Sequence, residues 1–177
     1  QQFALMQRNP FAGEVACDAD MFTSGEIAYA HQAAWQAAIG GRMVAIVGET
    51  GAGKTTMLDE MRDRILRDRL PVVCITPSVA ATEDGNSQGT PLRTADLYTA
   101  IAYALDKKAR VPRSAQQRSQ FVRELLEKST LQERQHLLII EEAHATPTTT
   151  LNQLKRLNEE MRLGRRYMLG ILLLGHP

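Results

Sequence analysis

The sequence predicts an α/β domain: a parallel sheet covered by helices on both faces. Three observations predict it. Short apolar runs alternate with longer segments of helical periodicity, the order that builds a sheet through crossover connections. The apolar runs are continuous, not alternating, as in strands buried on both faces. The first run leads into a glycine-rich octapeptide, GETGAGKT at 48–55, which opens a long helical pattern.

Each element has its own signal. Thr23 with Glu26 three residues on is a capping-box signature, and an alanine-rich helix over 24–38 follows, stopped by Gly40 and Gly41. The first strand covers 43–47. The helix behind the glycine loop covers 54–69, with Met57, Leu58, Met61, Ile65 and Leu66 at helical spacing. Pro71 introduces a strand over 72–76. A polar stretch over 77–91 reads as a loop. A helix over 94–106 carries Leu97, Ile101 and Leu105 on one stripe. A basic connector, 107–113, leads to a helix capped by Ser114 and running to Lys128. The third strand is 137–140. A helix over 149–163 carries Leu151, Leu154, Leu157 and Met161, with Gly164 as its C-terminal stop. The fourth strand is 168–174. Residues 1–41 are expected to form an N-terminal segment and helix packing on the core, and 42–177 the core itself. The pattern stops just after a strand, so a lid and a last strand are expected to be missing from a truncated core.

Bulk composition bounds the function. A chain of 177 residues, 44% hydrophobic, suits one domain with a buried core. Lys+Arg 21 against Asp+Glu 20 leaves a net charge of +1, which neither demands nor excludes nucleic acid, because a basic patch fits within a neutral total. Cys17 and Cys74 show neither metal spacing nor a disulfide framework, which points to the reducing cytoplasm. Residues 1–10 contain no signal-peptide core. The longest apolar run, 168–174, is too short to span a bilayer, so no membrane is expected in this chain.

The octapeptide fits G-x-x-x-x-G-K-[ST], the phosphate-binding P-loop. Gly48, Gly51 and Gly53 permit backbone angles that a side chain would forbid. With Glu49, Thr50 and Ala52 they form a loop whose N–H groups wrap a phosphate. The helix that starts near Lys54 aims its positive end at the same anion. Lys54 is expected to reach the β- and γ-phosphates, and the Thr55 hydroxyl to ligate Mg²⁺. Thr56 completes the nucleotide-contacting stretch. The cofactors expected are ATP and Mg²⁺.

The third strand ends in Glu141-Glu142-Ala143-His144. Glu141 is placed to help hold Mg²⁺. Glu142 is placed to orient or deprotonate a water in line with the leaving oxygen. Glu142 and Lys54 are therefore the catalytic candidates. Glu141 stands where aspartate is usual, and its extra methylene moves the carboxylate by about 1.5 Å. His144 reads as a turn residue or as a neighbour of the γ-phosphate site. His176, just past the fourth strand, is where a polar residue can sense the γ-phosphate. Two acids at a strand end favour water as the acceptor, hence hydrolysis.

Asn9-Pro10-Phe11, GETGAGKTT, LLIIEEAH, the Leu151-x-x-Leu154 helix and the closing LLLGHP span the chain nearly end to end. In these the chain resembles the AAA+ core of the P-loop NTPases. More narrowly it resembles a group holding ExeA-type secretion ATPases and the MuB, TnsC and TniB kind of transposition ATPase. The resemblance implies that the fourth strand lies between the first and third, and that a fifth strand and helical lid follow. It implies ATP bound between subunits of a homo-oligomer, a ring or a helical filament. It places an arginine finger after the fourth strand, beyond Pro177, with Arg162, Arg165 and Arg166 as the in-chain candidates ahead of that strand; without a finger supplied in trans, hydrolysis is slower by roughly 10³–10⁵. It further implies a regulator of DNA transposition that binds double-stranded target DNA and recruits or activates a transposase, with ATP driving assembly and hydrolysis driving release. The DNA-facing candidates are Arg93, Thr94, Lys107, Lys108, Arg110 and Arg113, with Arg118 nearby. Such contacts are insensitive to sequence and sensitive to salt. The alternatives are an ExeA-type secretion ATPase and a P-loop small-molecule kinase.

Overall fold

The computed structural model describes residues 25–77 and 92–177. The expected cap at Thr23, the Asn9-Pro10-Phe11 motif and all but the start of the polar loop lie outside the described residues. In chain order the elements are α1 (Gly25–Gly40), β1 (Met43–Val47), α2 (Lys54–Arg67), β2 (Val72–Ile75), α3 (Thr94–Leu105) and α4 (Ala115–Leu131). Then come β3 (Gln135–Ile140), α5 (Thr148–Glu160), β4 (Arg162–Leu163), β5 (Arg166–Tyr167) and β6 (Leu169–Gly175).

Four strands form one parallel sheet in the order β1-β6-β3-β2. Side chains alternate across it, so each continuous apolar run serves two cores. Leu137 and Ile139 of β3, with Leu172 and Leu174 of β6, join Ala34, Ala37 and Ala38 of α1 and Met57, Leu58 and Met61 of α2. Leu138, Ile140, Ile171 and Leu173 join Leu97 and Ile101 of α3, Val122 and Leu126 of α4, and Leu154 and Leu157 of α5. The expectation of strands buried on both faces holds for β3 and β6, where every residue is buried. It fails for β1. That strand pairs only with β6 among the described residues, and Val47 is 62% exposed.

The expected helix over 149–163 is shorter. It ends at Glu160, and β4 and β5 form a two-residue antiparallel pair. Gly164 does take a left-handed conformation, φ 64°, but as the turn of that hairpin and not as a helix stop. The Arg123 guanidinium of α4 donates to the carbonyls of Glu160 (3.0 Å) and Arg162 (3.2 Å), so carbonyls at the helix end are satisfied from outside. The Met168 N–H returns to the Met161 carbonyl at 2.9 Å, which closes the hairpin.

Two buried details fix the position of β6. The Asn158 amide donates to the carbonyls of Gly41 (2.9 Å) and Leu169 (2.8 Å), clamping the end of α5 to the start of the strand. Gly170 lies directly under α1: a Cβ there would fall 1.9 Å from the Ala37 carbonyl oxygen. His136 of β3 is buried, with Nδ1 2.9 Å from the Met168 carbonyl and Nε2 2.7 Å from the Ser129 hydroxyl. The neutral ring satisfies both contacts, Nδ1–H donating and Nε2 accepting. Burial pushes the His136 pKa below its ordinary value. The Met168 contact opposes this, while Arg134 and Arg166 reinforce it.

Two outcomes are expected. Gly170→Ala forces α1 off the sheet and destabilises the fold by about 3 kcal/mol or more, the upper end for overpacking, because the clash is with main chain; urea denaturation measures it. His136 makes stability pH-dependent with a defined sign. A lowered folded-state pKa means that the unfolded chain takes up the proton first. Stability is then full above the unfolded value, about 6.5, and falls as pH drops from there toward the folded value. Urea midpoints measured from pH 7.5 down to 5 should show this acid-side loss, and His136→Asn should flatten it.

Candidate active site

The glycine loop leaves β1 at Gly48, whose N–H donates to the Gly175 carbonyl at the end of β6 (3.1 Å). The Ala52 N–H donates to the Glu49 carbonyl at 3.1 Å, making a tight turn. Gly51 and Gly53 have φ 82° and 90°. A Cβ at either would meet nothing within 4 Å, so the dihedral angle, not crowding, requires glycine there. Gly53 is the N-cap of α2, and no side chain caps that helix. The first amides of α2 have no intrahelical partner and form an anion-binding end. Thr55 is exposed in the first turn, with Thr56 beside it half-buried; Glu49 and Thr50 are exposed on the loop. The Lys54 ammonium bonds to the carbonyls of Gly48 and Glu49, the latter at 2.9 Å, and lies 3.5 Å from His176 Nδ1.

At the end of β3 the chain turns sharply. Glu142 is left-handed, φ 54°, and starts a single 3-10 turn, Ala143–Ala145. A non-glycine residue in this region carries strain of order 1 kcal/mol or more. The turn brings Glu142 Oε2 to 3.3 Å from His144 Nε2, and Oε1 to 3.6 Å from His176 Nε2. The His176 N–H donates to His144 Nδ1 at 3.3 Å, and the two rings lie 5.0 Å apart. His176 Nδ1 is 3.2 Å from the Gly48 carbonyl. A continuous path of polar contacts therefore runs from Lys54 through His176 to Glu142.

Glu141 faces elsewhere. Its carboxylate lies 4.0 Å from the Arg62 guanidinium of α2, which donates to the Thr76 hydroxyl at 3.1 Å. The two neighbouring acids thus diverge, one toward His144 and His176, the other toward Arg62. Arg62 escaped the sequence reading because it is one of several charged residues on α2, and only the fold brings it to the end of β2. Burial pushes the Cys74 thiol up, with Arg62 pulling the other way, so Cys74 is no reactive thiolate.

The basic candidates separate into two groups. Arg93 and Thr94 lie at the start of α3, where the Arg93 N–H bonds to the Asp96 carboxylate at 3.0 Å. Lys107, Lys108, Arg110 and Arg113 are exposed beyond its other end, about 18 Å away for a helix of this length. Arg118 holds the Pro112 and Arg113 carbonyls and so braces the connector. Arg162 stacks over Tyr167 at 5.4 Å, and Arg166 lies 4.0 Å from Glu133. Arg165 is exposed in the hairpin turn. Among the described residues no helix is long and apolar enough to cross a membrane.

A family model for the AAA domain matches residues 38–177, most of the chain. The chain belongs to the AAA ATPase family. Its sheet order places β6 between β1 and β3, as the resemblance to AAA+ proteins implied. Among solved structures it is similar to Cdc6p from Pyrobaculum aerophilum, with 18% identity and a TM-score of 0.52, covering 76% of this chain and 32% of that one. That likeness shows the fold. PCH-2 from C. elegans matches at 14% identity and a TM-score of 0.45, covering 85% of this chain and 36% of that one. The AAA chain thus spans about a third of the length of these structures. None of the curated proteins compared with it matches.

Proposed function

We propose that this AAA domain binds ATP with Mg²⁺ and hydrolyses it. The observation that carries the reading is the convergence of Lys54 and Glu142 on His176, at 3.5 Å and 3.6 Å, where the ends of β1, β3 and β6 meet. The loop fits a triphosphate: two glycines hold left-handed angles with open space around them, and the uncapped start of α2 supplies free amides.

Bound ATP and Mg²⁺ supply the γ-phosphoryl group and a cation that neutralises charge on its oxygens. The chain does the rest. The loop amides other than those of Gly48 and Ala52, with the first amides of α2, would hold the phosphates, and Lys54 would exchange its carbonyl partners for phosphate oxygens. The Thr55 hydroxyl would hold the cation, and the Glu141 carboxylate would join it by turning from Arg62, which it faces at 4.0 Å. Glu142 orients the attacking water and accepts its proton. His176, which already contacts both Lys54 and Glu142, positions one against the other.

The biological reading is an ATP-dependent regulator of DNA transposition. Its subunits assemble on ATP binding into a ring or filament on double-stranded DNA, engage a transposase in the cytoplasm, and release on hydrolysis. The support is the resemblance of its motifs to those of the MuB, TnsC and TniB kind of protein, and the exposed cations at the two ends of α3: Arg93 at the start, and Lys107, Lys108, Arg110 and Arg113 beyond the other end.

Two experiments test these claims. Lys54→Ala is expected to lose binding of a fluorescent ATP analogue. Glu142→Gln is expected to keep that binding while hydrolysis falls by about 10²–10⁴; normal turnover in Glu142→Gln would refute the base assignment. For DNA, a gel shift on random duplex should require ATP or a non-hydrolysable analogue. Replacing Lys107 and Lys108 with alanine should lower the log–log salt slope by about 2. A shift indifferent to nucleotide, or no shift at low salt, counts against the transposition reading.

A further inference from the structure

We propose that Glu142, His144 and His176 form a binding site for a borderline divalent transition metal, of which Zn²⁺ is the representative. One ligand atom from each can be chosen so that all lie within 4.8 Å of one another. Tetrahedral coordination at a zinc–nitrogen distance near 2.0–2.1 Å requires ligand atoms about 3.3 Å apart. The Glu142–His144 pair stands at 3.3 Å and the Glu142–His176 pair at 3.6 Å. His144 faces Oε2 and His176 faces Oε1, so the carboxylate lies between the two imidazoles, and gathering one oxygen and two ring nitrogens around an ion takes side-chain rotation within a cluster already 4.8 Å across.

The donor set selects the metal. Two imidazoles and one carboxylate suit zinc and its neighbours, whereas Mg²⁺ and Ca²⁺ prefer oxygen ligands alone. This ion is therefore chemically distinct from one held by Thr55 and Glu141. Three protein ligands leave a coordination position open to solvent.

The surroundings of His176 support the assignment. Its Nδ1 lies 3.2 Å from the Gly48 carbonyl, an acceptor that favours the proton on Nδ1 and the lone pair on Nε2, the nitrogen that faces Glu142. A ligating histidine is ordinarily oriented by such a bond to a carbonyl. His144 must give something up: its Nδ1 accepts the His176 N–H at 3.3 Å, and coordination through Nε2 transfers the proton to Nδ1 and breaks that long contact. The left-handed angle at Glu142 places the carboxylate beside an imidazole only two residues on. The Lys54 ammonium lies 3.5 Å from His176 Nδ1, the ring nitrogen that does not face Glu142.

The site stands on this geometry alone. Its consequence rests on the hydrolytic reading: metal on Glu142 removes the base and inhibits turnover.

Titration of the protein without nucleotide separates the two. Zn²⁺ is followed by calorimetry, and Co²⁺ by its visible absorption, which reports ligand type and coordination number. One ion per chain is expected, with the intensity of a four-coordinate nitrogen–oxygen site. His144→Ala and His176→Ala should each weaken binding by at least about tenfold, and His176→Asn, which keeps a polar group of similar reach, should weaken it equally. Matching circular dichroism spectra establish that the variants fold. Three results overturn the proposal: no saturable binding, unchanged affinity in the double histidine variant, or a sulfur-to-cobalt charge-transfer band that disappears with Cys74→Ser.

Discussion

The loop that carries Lys54 and the turn that carries Glu142 leave the sheet on strands that are not neighbours. Strand β6 runs between β1 and β3, so the two segments start about two strand spacings apart, roughly 9.5 Å. That gap gives the site its width: both walls are anchored, and neither can drift without breaking a parallel ladder. It also explains why the residue following β6 matters. His176 emerges between the two walls and contacts each, Gly48 and Lys54 on one side and Glu142 and His144 on the other.

The central position of β6 is secured by packing. Both of its faces are buried, and Gly170 lets the Ala37 carbonyl of α1 approach to a distance that no side chain would tolerate. Alanines at 34, 37 and 38 give α1 a smooth surface for that approach. From below, Asn158 holds the start of the strand through two carbonyls, and each bond satisfies a buried group that would otherwise lose its water partners. The end of β6 is therefore positioned by small residues and by an amide about 20 Å away along the strand.

Much of this was legible in the residues, because local rules and tertiary structure agreed. The first strand falls on 43–47 as read, and the helices beginning at Lys54 and Thr94 start where the glycine loop and the Asp96 contact put them. The segment 161–167 was misread for a physical reason. Met161 continues the apolar stripe of α5, and a left-handed Gly164 serves a helix stop and a hairpin turn equally well. What decides between them is Arg123, which comes from α4 and takes the Glu160 carbonyl. Burial of β1 was also overstated: its apolar run is indistinguishable from that of β3 until the strand order, among the described residues, makes one an edge and the other central. The Glu142–His144–His176 cluster was only half visible. The first two are close in sequence, but His176 is 32 residues beyond His144 and joins them only because β6 lies beside β3.

At the end of β3, the left-handed angle at Glu142 aims its carboxylate. An exposed glutamate gains nothing from that conformation by itself, and it bears a steric cost that glycine would avoid. The turn is held by the Ala145 N–H donating to the Glu142 carbonyl at 2.9 Å and the Thr146 N–H donating to the Ala143 carbonyl at 3.1 Å. On the β6 side, a Cβ on Gly175 would lie 3.4 Å from the His144 amide nitrogen, so the turn seats close against the end of that strand. An extended Glu142 would carry His144 away from this seat and separate both imidazoles from the carboxylate. The strain of this turn is thus confined to one residue, and it sets the direction of the carboxylate on which both the proposed hydrolysis and the proposed metal site rest.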